Sequence, residues 1–197
     1  MSVAEISSFE DDRPLSNRFV IAGGPGTGKS TLLRALTEAG ENCYAEISRL
    51  LIRRRLSEGS AGVPWADLNT FAEDCSRQML QQLESGTHRG RCFFDRGLPD
   101  LIGYLNHAQR VAPAAWRIAA RGYAGVVFFA PPWREIYVND PERPQSFAEA
   151  QELSVHIRHA YLECGFRLIE LERVSVRDRV RQVLQVVETY EQGSRHG

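Results

Sequence analysis

The stretch Phe19-Val20-Ile21-Ala22-Gly23-Gly24-Pro25-Gly26-Thr27-Gly28-Lys29-Ser30-Thr31 decides the fold of this chain. Four apolar residues lead into the pattern G-x-x-x-x-G-K-S, and the residues that follow have the spacing of a helix. A strand, this loop and a helix, in that order, are typical of a phosphate-binding loop. The glycines permit turns that a Cβ would hinder, so successive N–H groups can point at one anion. A glycine-rich turn that binds nothing is the weaker alternative.

Individual residues of this loop have specific roles in binding a nucleotide. Lys29 would reach the β- and γ-phosphates, and the Ser30 hydroxyl would ligate Mg²⁺. The helix that follows adds the positive end of its dipole. We therefore expect ATP or GTP as the nucleotide, Mg²⁺ as the metal, and binding contacts from the whole loop: Gly23, Gly24, Pro25, Gly26, Thr27, Gly28, Lys29, Ser30 and Thr31.

Length, composition and charge limit the class of protein. The chain has 197 residues, 25% of them charged and 43% hydrophobic, which suits one globular domain. A net charge of −1 gives no general attraction to nucleic acid, so nucleic acid is not an expected partner. No apolar run approaches the roughly 20 residues of a membrane helix. The polar, acidic start at Met1–Pro14 differs from a signal peptide, and we expect a cytoplasmic protein without a membrane partner.

Neither the cysteines nor the histidines indicate a metal site. The cysteines are far apart and form no C-x-x-C pair, which fits reduced thiols: Cys43, Cys75, Cys92 and Cys164. His156 and His159 have helical spacing, but a solvated helix face is the favoured interpretation for them. No pattern indicates the oligomeric state.

Apolar strands alternate with helical patterns along the chain. This alternation predicts an α/β fold, a three-layer P-loop NTPase with a five-stranded, mainly parallel sheet and helices on both faces. The predicted strands are Arg18–Ala22, Asn42–Ala45, Arg91–Phe94, Gly125–Ala130 and Phe166–Leu171. The predicted helices are Ser30–Ala39, Ile47–Glu58, Ala66–Ser85, Pro99–Ala108, Pro113–Arg121, Ser146–Cys164 and Ser175–Tyr190.

These elements form one predicted domain over residues 16–191. The segments before and after it, 1–15 and 192–197, lack periodicity and are expected to be mobile. Residues 131–145 are rich in proline and charge and interrupt the pattern, so we predict a small lid there.

Two acidic residues follow predicted strands that end near the loop. Asp95 comes after Cys92-Phe93-Phe94, where a second Mg²⁺ ligand is expected, and Glu46 follows the second strand. Parallel strands deliver their carboxyl ends to one crevice, so both side chains should converge near Lys29. One carboxylate would position the metal, and the other would accept a proton from an attacking hydroxyl. An intrahelical salt bridge between Glu46 and Arg49 is an equally weighted alternative.

Several arginines are candidates for phosphate contacts. Arg96 follows Asp95 directly and would grip a phosphate or stabilise transition-state charge, unless it forms a structural ion pair. Arg134, Arg143 and Arg158 lie in or just after the predicted lid, from which arginines would reach the phosphates when the lid closes. For each one alone a solvated surface charge is the favoured interpretation, and Arg134 is the predicted nucleotide ligand among them. The run Arg53–Arg55 spreads over different faces of a helix, and solvated charge is its favoured interpretation.

The chain resembles a known family over about 19–188. The motifs are Gly23–Thr31, Glu46…Arg49, Phe93-Phe94-Asp95-Arg96-Gly97-Leu98-Pro99-Asp100 and the segment from Pro131-Pro132-Trp133 to Gln145-Ser146-Phe147. They resemble the small AAA-type predicted ATPases, which are related to the kinase domain of nicotinamide-nucleotide regulators and, more distantly, to nucleoside and nucleotide kinases. The resemblance implies nucleotide phosphates at the loop, Mg²⁺ near Ser30 and Asp95, and an acceptor hydroxyl surrounded by Glu46, Asp95 and Arg96.

Two functions are compatible with these motifs. The first is an ATP·Mg²⁺-dependent phosphotransferase with a nucleoside- or nucleotide-like acceptor, in which Lys29, Asp95, Arg96 and Glu46 are catalytic. The second is a regulatory ATPase whose nucleotide state changes a protein-binding surface. The sequence does not identify the acceptor, since Gly97 follows Asp95-Arg96 and the lid lacks the R-x-x-x-R pair of many nucleotide kinases.

Overall fold

The computed structural model describes residues 16–59, 62–85, 90–138 and 145–193. In chain order, the strands are β1 Arg18–Ala22, β2 Asn42–Tyr44, β3 Cys92–Asp95, β4 Val126–Phe129 and β5 Arg167–Glu170. The α-helices are α1 Lys29–Glu38, α2 Ile47–Ser57, α3 Leu68–Ser85, α4 Leu98–His107, α5 Ala114–Ala120, α6 Phe147–Glu163 and α7 Val176–Gly193. A short 3₁₀ turn spans Arg134–Ile136.

The five strands form one sheet in the order β2-β3-β1-β4-β5, and every observed pairing is parallel. Strand β1 lies at the centre, between β3 and β4. Its residue Ile21 lies opposite Asp95 of β3. Since β1 leads into the phosphate loop, this register places the end of β3 beside that loop.

Alternate residues of the strands face two separate apolar layers, as expected for a sheet buried on both sides. Phe19 and Ile21 of β1 pack in the layer that α1 and α7 cover. Val20 and Ala22 face the other layer, to which α2 to α6 contribute. Both faces of the sheet are therefore covered by apolar side chains. The buried polar side chains Glu46, Asp95 and Arg96 lie at or after the carboxyl ends of the strands.

The structure confirms the predicted fold class. The five predicted strands and seven predicted helices all form where the sequence pattern places them, with boundaries that differ by at most three residues. The sheet is parallel throughout the described strands. Helix α7 extends to Gly193, into the predicted tail 192–197. The predicted mobile segment 1–15, the rest of that tail and lid residues 139–144 lie outside the described residues. No helix in the described ranges is long and apolar enough to cross a membrane.

Helices α4 and α6 approach each other closely at Gly103. A Cβ at this position would lie 2.6 Å from the Cα of Ile157 and 2.8 Å from its backbone nitrogen. Both contacts are with backbone, which cannot rotate away as a side chain would. The absence of a Cβ at Gly103 therefore sets the separation of the two helices that carry Asp100 and Tyr161.

We predict that Gly103→Ala destabilises the protein. The overlap with α6 costs about 1–3 kcal/mol, and the better helix propensity of alanine offsets about 1 kcal/mol of it. Urea unfolding followed by tryptophan fluorescence measures the change in the free energy of unfolding. An unchanged or higher value would show that α6 moves aside freely and would contradict the close-packing argument.

Candidate functional site

The phosphate loop joins the end of β1 to the start of α1. Gly28, the last residue before the helix, is left-handed, with φ 83°. The Lys29 side chain is only 3% exposed, and its Nζ donates to the carbonyl oxygens of Gly23 at 2.9 Å and Gly24 at 2.6 Å. It also donates to the hydroxyl of Thr27 at 3.3 Å. The ammonium group is thus held inside the loop that nucleotide phosphates are predicted to enter.

Ser30 and Asp95 form the predicted metal-binding pair. The Ser30 hydroxyl donates to Oδ2 of Asp95 at 3.1 Å. The other carboxylate oxygen, Oδ1, is buried and has no hydrogen-bond partner among the described residues. Buried polar atoms are nearly always satisfied, so this oxygen fits a site that receives a ligand. A hydroxyl and a carboxylate are hard oxygen donors that suit Mg²⁺, which keeps several waters and few protein ligands.

The environment of Asp95 disfavours its charged form. Burial, and after it the nearby Glu46 carboxylate, raise the pKa of this carboxyl against the lowering effects of Lys29 and Arg96, and the pKa that results is about 6. A divalent cation would remove most of this cost, because it supplies the opposite charge at short range. The raised pKa of Asp95 and its unpartnered oxygen Oδ1 are therefore both compatible with a divalent cation as the ligand.

Arg96 links the two acidic strand ends to the phosphate loop. Its Nε donates to Oε1 of Glu46 at 2.8 Å, and its Nη1 donates to the Gly23 carbonyl at 3.1 Å and to Oδ1 of Asp100 at 3.3 Å. Its backbone is left-handed, with φ 76°, an uncommon conformation for a residue with a Cβ. This strained turn directs the guanidinium under the loop. The structure thus brings the predicted catalytic residues Glu46, Asp95 and Arg96 together beside the phosphate loop.

Two residues that sequence reasoning did not assign hold Arg96 in place. Asp100 is fully buried and accepts from the backbone N–H of Gly97 at 2.9 Å. The hydroxyl of Tyr161, on α6, donates to the same carboxylate oxygen at 2.5 Å. Asp100 was visible as part of the motif that begins at Phe93. Tyr161 lies 61 positions from Asp100, and only the packing of α6 on α4 reveals its role.

Arg179, on α7, is a third residue that the sequence did not single out. It is 2% exposed, and its Nη1 donates to the Thr27 carbonyl at 3.0 Å. Its Nε donates to the Glu172 carbonyl at 2.7 Å, and its guanidinium lies 4.8 Å from the centre of the Trp133 ring. Its Nη2 is buried without a hydrogen-bond partner among the described residues. Burial lowers the pKa of Arg179, and the positive charge of Arg173 lowers it further.

Two cavities meet at the carboxyl edge of the sheet. The phosphate cavity, of about 200 Å³, is lined by Gly26–Thr31, Arg49, Ile136 and Val138. The acceptor cavity, as we call it, has about 240 Å³ and mostly apolar walls that include Trp65, Phe71 and Tyr104. Glu46, Arg49 and Arg96 line this second cavity as well. It therefore combines an apolar enclosure with a few charged groups, as sites for small molecules do.

The described start of the predicted lid packs on the phosphate loop. A Cβ at Gly26 would lie 2.4 Å from the ring of Tyr137, so glycine is required for this contact. Arg134 lies in the adjoining 3₁₀ turn, with its guanidinium 5.0 Å from the centre of the Phe147 ring. A contact of Arg134 with the nucleotide stays a prediction.

Two further arginine candidates from the sequence have no observed contact with the loop. Arg158 pairs with Glu170 at 2.9 Å and lies 5.5 Å from the centre of the Phe129 ring, and Arg143 lies outside the described residues. His159 is 3.0 Å from Glu163. No cluster of three or more potential metal-ligating His, Cys, Asp or Glu side chains occurs in the part of the chain that the structure describes.

Comparison with protein families places the chain among P-loop proteins. A family model described as an AAA domain matches residues 18–179, which is most of the chain. Comparison with curated protein sequences finds no match. The matched range includes the phosphate loop, the two acidic strand ends and Arg179.

Solved structures with the same fold include kinases of small molecules. A deoxyadenosine kinase from M. mycoides with bound dCMP and dCDP superposes with a TM-score of 0.63 at 12% identity, covering 87% of this chain and 99% of that one. Thymidylate kinase from Candida albicans gives 0.56 at 13% identity, with 90% and 93% covered. Shikimate kinase from Acinetobacter baumannii, in complex with shikimate, gives 0.54 at 18% identity, with 95% and 98% covered. At these identities the likeness shows the fold alone.

We predict that Asp95→Asn changes the pH dependence of stability. The pKa of Asp95 rises from 3.8 to about 6 on folding, so the folded protein binds this proton more tightly than the unfolded chain. Its contribution favours folding at low pH and is lost as the pH rises through about 6. Without Mg²⁺ or nucleotide, the wild type should gain stability relative to Asp95→Asn between about pH 7 and about pH 5. Thermal melts over this range measure the difference, and parallel curves would contradict it.

We predict that Arg179→Met weakens nucleotide binding. The variant loses the charge-assisted bond to the Thr27 carbonyl and a buried positive charge beside the phosphate loop. The dissociation constant of Mg·ATP should rise about tenfold or more, since such bonds contribute about 1.5–3 kcal/mol. Arg177→Met is the matched control, because Arg177 is exposed on the same helix. Equal affinities of the two variants by calorimetry would contradict a role for Arg179.

Proposed function

We propose a phosphoryl-transfer function for this chain, which belongs to the AAA domain family. The proposed reaction moves the γ-phosphoryl group of ATP or GTP, bound with Mg²⁺, to a hydroxyl of a small-molecule acceptor. The kinase-like fold is compatible with such a reaction. The argument for this particular reaction comes from the side chains beside the phosphate loop.

One arrangement carries the proposal. Asp95 ends β3, and Glu46 lies two residues beyond the neighbouring strand β2. Arg96 donates to Glu46, interacts electrostatically with Asp95 and reaches the phosphate loop at the Gly23 carbonyl. Asp95 also bonds to Ser30 in the proposed metal-binding pair, and Glu46 and Arg96 line the acceptor cavity. A reacting hydroxyl in that cavity would lie between a carboxylate and the end of the bound triphosphate.

Each side chain has a task that its position explains. Glu46 accepts the proton of the acceptor hydroxyl as the new oxygen–phosphorus bond forms and the bond to the β-phosphate oxygen breaks, so ADP or GDP leaves. Lys29 exchanges its loop carbonyls for phosphate oxygens. Arg96 offers fixed positive charge beside the transferred group. When bound at Ser30 and Asp95, Mg²⁺ offsets the negative charge on the phosphates.

The acceptor cavity favours transfer to an organic acceptor over plain hydrolysis. Its walls are mostly apolar, and Trp65, which is 57% exposed, stands among its lining residues. A site for water alone needs no such enclosure. Apolar walls with a few charged groups are typical of sites that exclude water from a small molecule.

The experiment is an acceptor screen with purified full-length protein. ADP or GDP release is measured with either donor and Mg²⁺, against nucleosides, nucleoside monophosphates and hydroxy acids, and mass spectrometry identifies the phosphorylated product. We expect release that depends on one class of acceptor. Release that no acceptor stimulates, together with a protein partner captured in only one nucleotide state, would instead support a regulatory ATPase.

We predict that Glu46→Gln lowers kcat about 100-fold or more, because glutamine cannot accept the proton. Glutamine retains an oxygen that accepts from Arg96, so the melting temperature should change little. Glu38→Gln, at an exposed position of α1, serves as the control. A kcat equal to that of the control would contradict the role of Glu46 as the base.

A further inference from the structure

A third opening at the edge of the sheet is lined by several arginines. This groove, of about 320 Å³, runs from Ser30 and Asp95 between α1 and α2. Three arginines line it: Arg34 from α1, and Arg49 and Arg53 from α2. We call it the basic groove. Arg49 and Arg53 are four residues apart and therefore share one face of their helix.

The three consecutive arginines Arg53–Arg55 point away from α2 in different directions. Arg54 pairs with Glu58 at 2.9 Å on the exposed face of α2. Arg55 pairs with Asp74 of α3 and donates to the Gly62 carbonyl. Arg53 alone lines the basic groove. Three identical side chains on one helix thus have different surroundings, and only one of them faces the reaction site.

The carboxylates of the groove already have partners. Glu46 accepts from Arg96 at 2.8 Å and from the Ser48 hydroxyl at 2.7 Å, and Asp95 accepts from Ser30. Arg34 forms no ion pair with any carboxylate in the described ranges, and its side chain is exposed. Glu46 and Asp95 are the two carboxylates among the described lining residues, and both are buried. Arg34 and Arg53 are exposed, so the lining becomes more positive towards solvent.

Arg49 connects the basic groove with both other cavities. It lines the phosphate cavity, the acceptor cavity and the groove. Glu46, the proposed base, also lines both the acceptor cavity and the groove. A molecule whose hydroxyl lies at Glu46 can therefore extend towards the arginines without leaving the site.

We propose that the acceptor carries an anionic group, a phosphomonoester or a carboxylate, that binds between Arg34, Arg49 and Arg53. This inference rests on the proposed function, because it assigns a substrate class to the same site. Guanidinium groups bind such anions through paired, charge-assisted hydrogen bonds. The apolar body of the acceptor occupies the acceptor cavity, and its hydroxyl lies between the two ends at Glu46.

Matched acceptor pairs test this substrate class. Each pair contains an anion and its neutral counterpart: a nucleoside 5′-monophosphate with its nucleoside, and a hydroxy acid with its methyl ester. The two pairs distinguish phosphate from carboxylate. We expect the anionic member of one pair to have a kcat/KM at least about tenfold higher. Faster transfer to the neutral member of both pairs would overturn the inference and leave the phosphotransferase function intact.

Variants on one helix supply the matched control. Arg53→Gln and Arg34→Gln should each lower kcat/KM for the anionic acceptor about tenfold, and lower it far less for its neutral counterpart. Arg54→Gln, which removes the same charge outside the groove, should leave both values unchanged. If Arg53→Gln and Arg54→Gln lower kcat/KM for the anionic acceptor equally, the assignment of the anion to the groove is overturned.

Binding measurements separate the inference from the proposed function. Calorimetry with protein saturated by Mg·ADP, so that the phosphate loop is filled, measures the affinity for each panel member without turnover. Binding of an anion that Arg53→Gln weakens, with no transfer in the acceptor screen, would contradict the phosphotransferase proposal and leave the anion site standing. Absence of binding by every anionic member would overturn the inference.

Discussion

The parallel pairing of β1 with β3 is the constraint on which the site depends. Because Ile21 lies opposite Asp95, the carboxyl end of β3 stops beside the loop that continues from β1. The neighbouring pairing of Tyr44 with Phe94 brings β2, and Glu46 after it, to the same edge. A shift of one residue in either pairing would turn these side chains to the wrong face, since the side-chain period of a strand is two.

Several charged side chains at this edge of the sheet are buried, and each needs a partner of opposite charge or a hydrogen bond. Arg96, Glu46, Asp95 and Asp100 are all nearly inaccessible to solvent, and Lys29 lies within the same group. An unpaired charge there would be costly, so each guanidinium and carboxylate bonds to others or to loop carbonyls. Among the charged side chains that the structure describes, the buried atoms without a hydrogen-bond partner are Asp95 Oδ1 and Arg179 Nη2. The first marks the position that fits a metal, and the second belongs to an arginine that supports the loop.

The same packing determines which arginines take part in the site. Arg54 pairs with Glu58 on the outer surface and is a solvated charge. Arg158 is exposed as well, where it pairs with Glu170 and lies over the edge of the core at Phe129. Arg96 and Arg179, in contrast, are buried. Backbone carbonyls and an aromatic ring surround each of them, and Arg96 also contacts buried carboxylates. Burial therefore distinguishes Arg96 and Arg179, which donate to carbonyls of the phosphate loop, from the exposed Arg54.

Local pattern determined the fold class, the loop and the strand-end acids of this chain. Strand and helix periodicity, glycine spacing and the positions directly after strands are short-range properties, so Lys29, Ser30, Asp95, Glu46 and Arg96 can be identified from the sequence. Three features could not be identified in this way: the contact of Asp100 with Tyr161, the contact of Arg179 with the Thr27 carbonyl, and the position of Arg53 in the basic groove. Each depends on how distant helices pack on the sheet, and that packing joins residues that no sequence spacing relates.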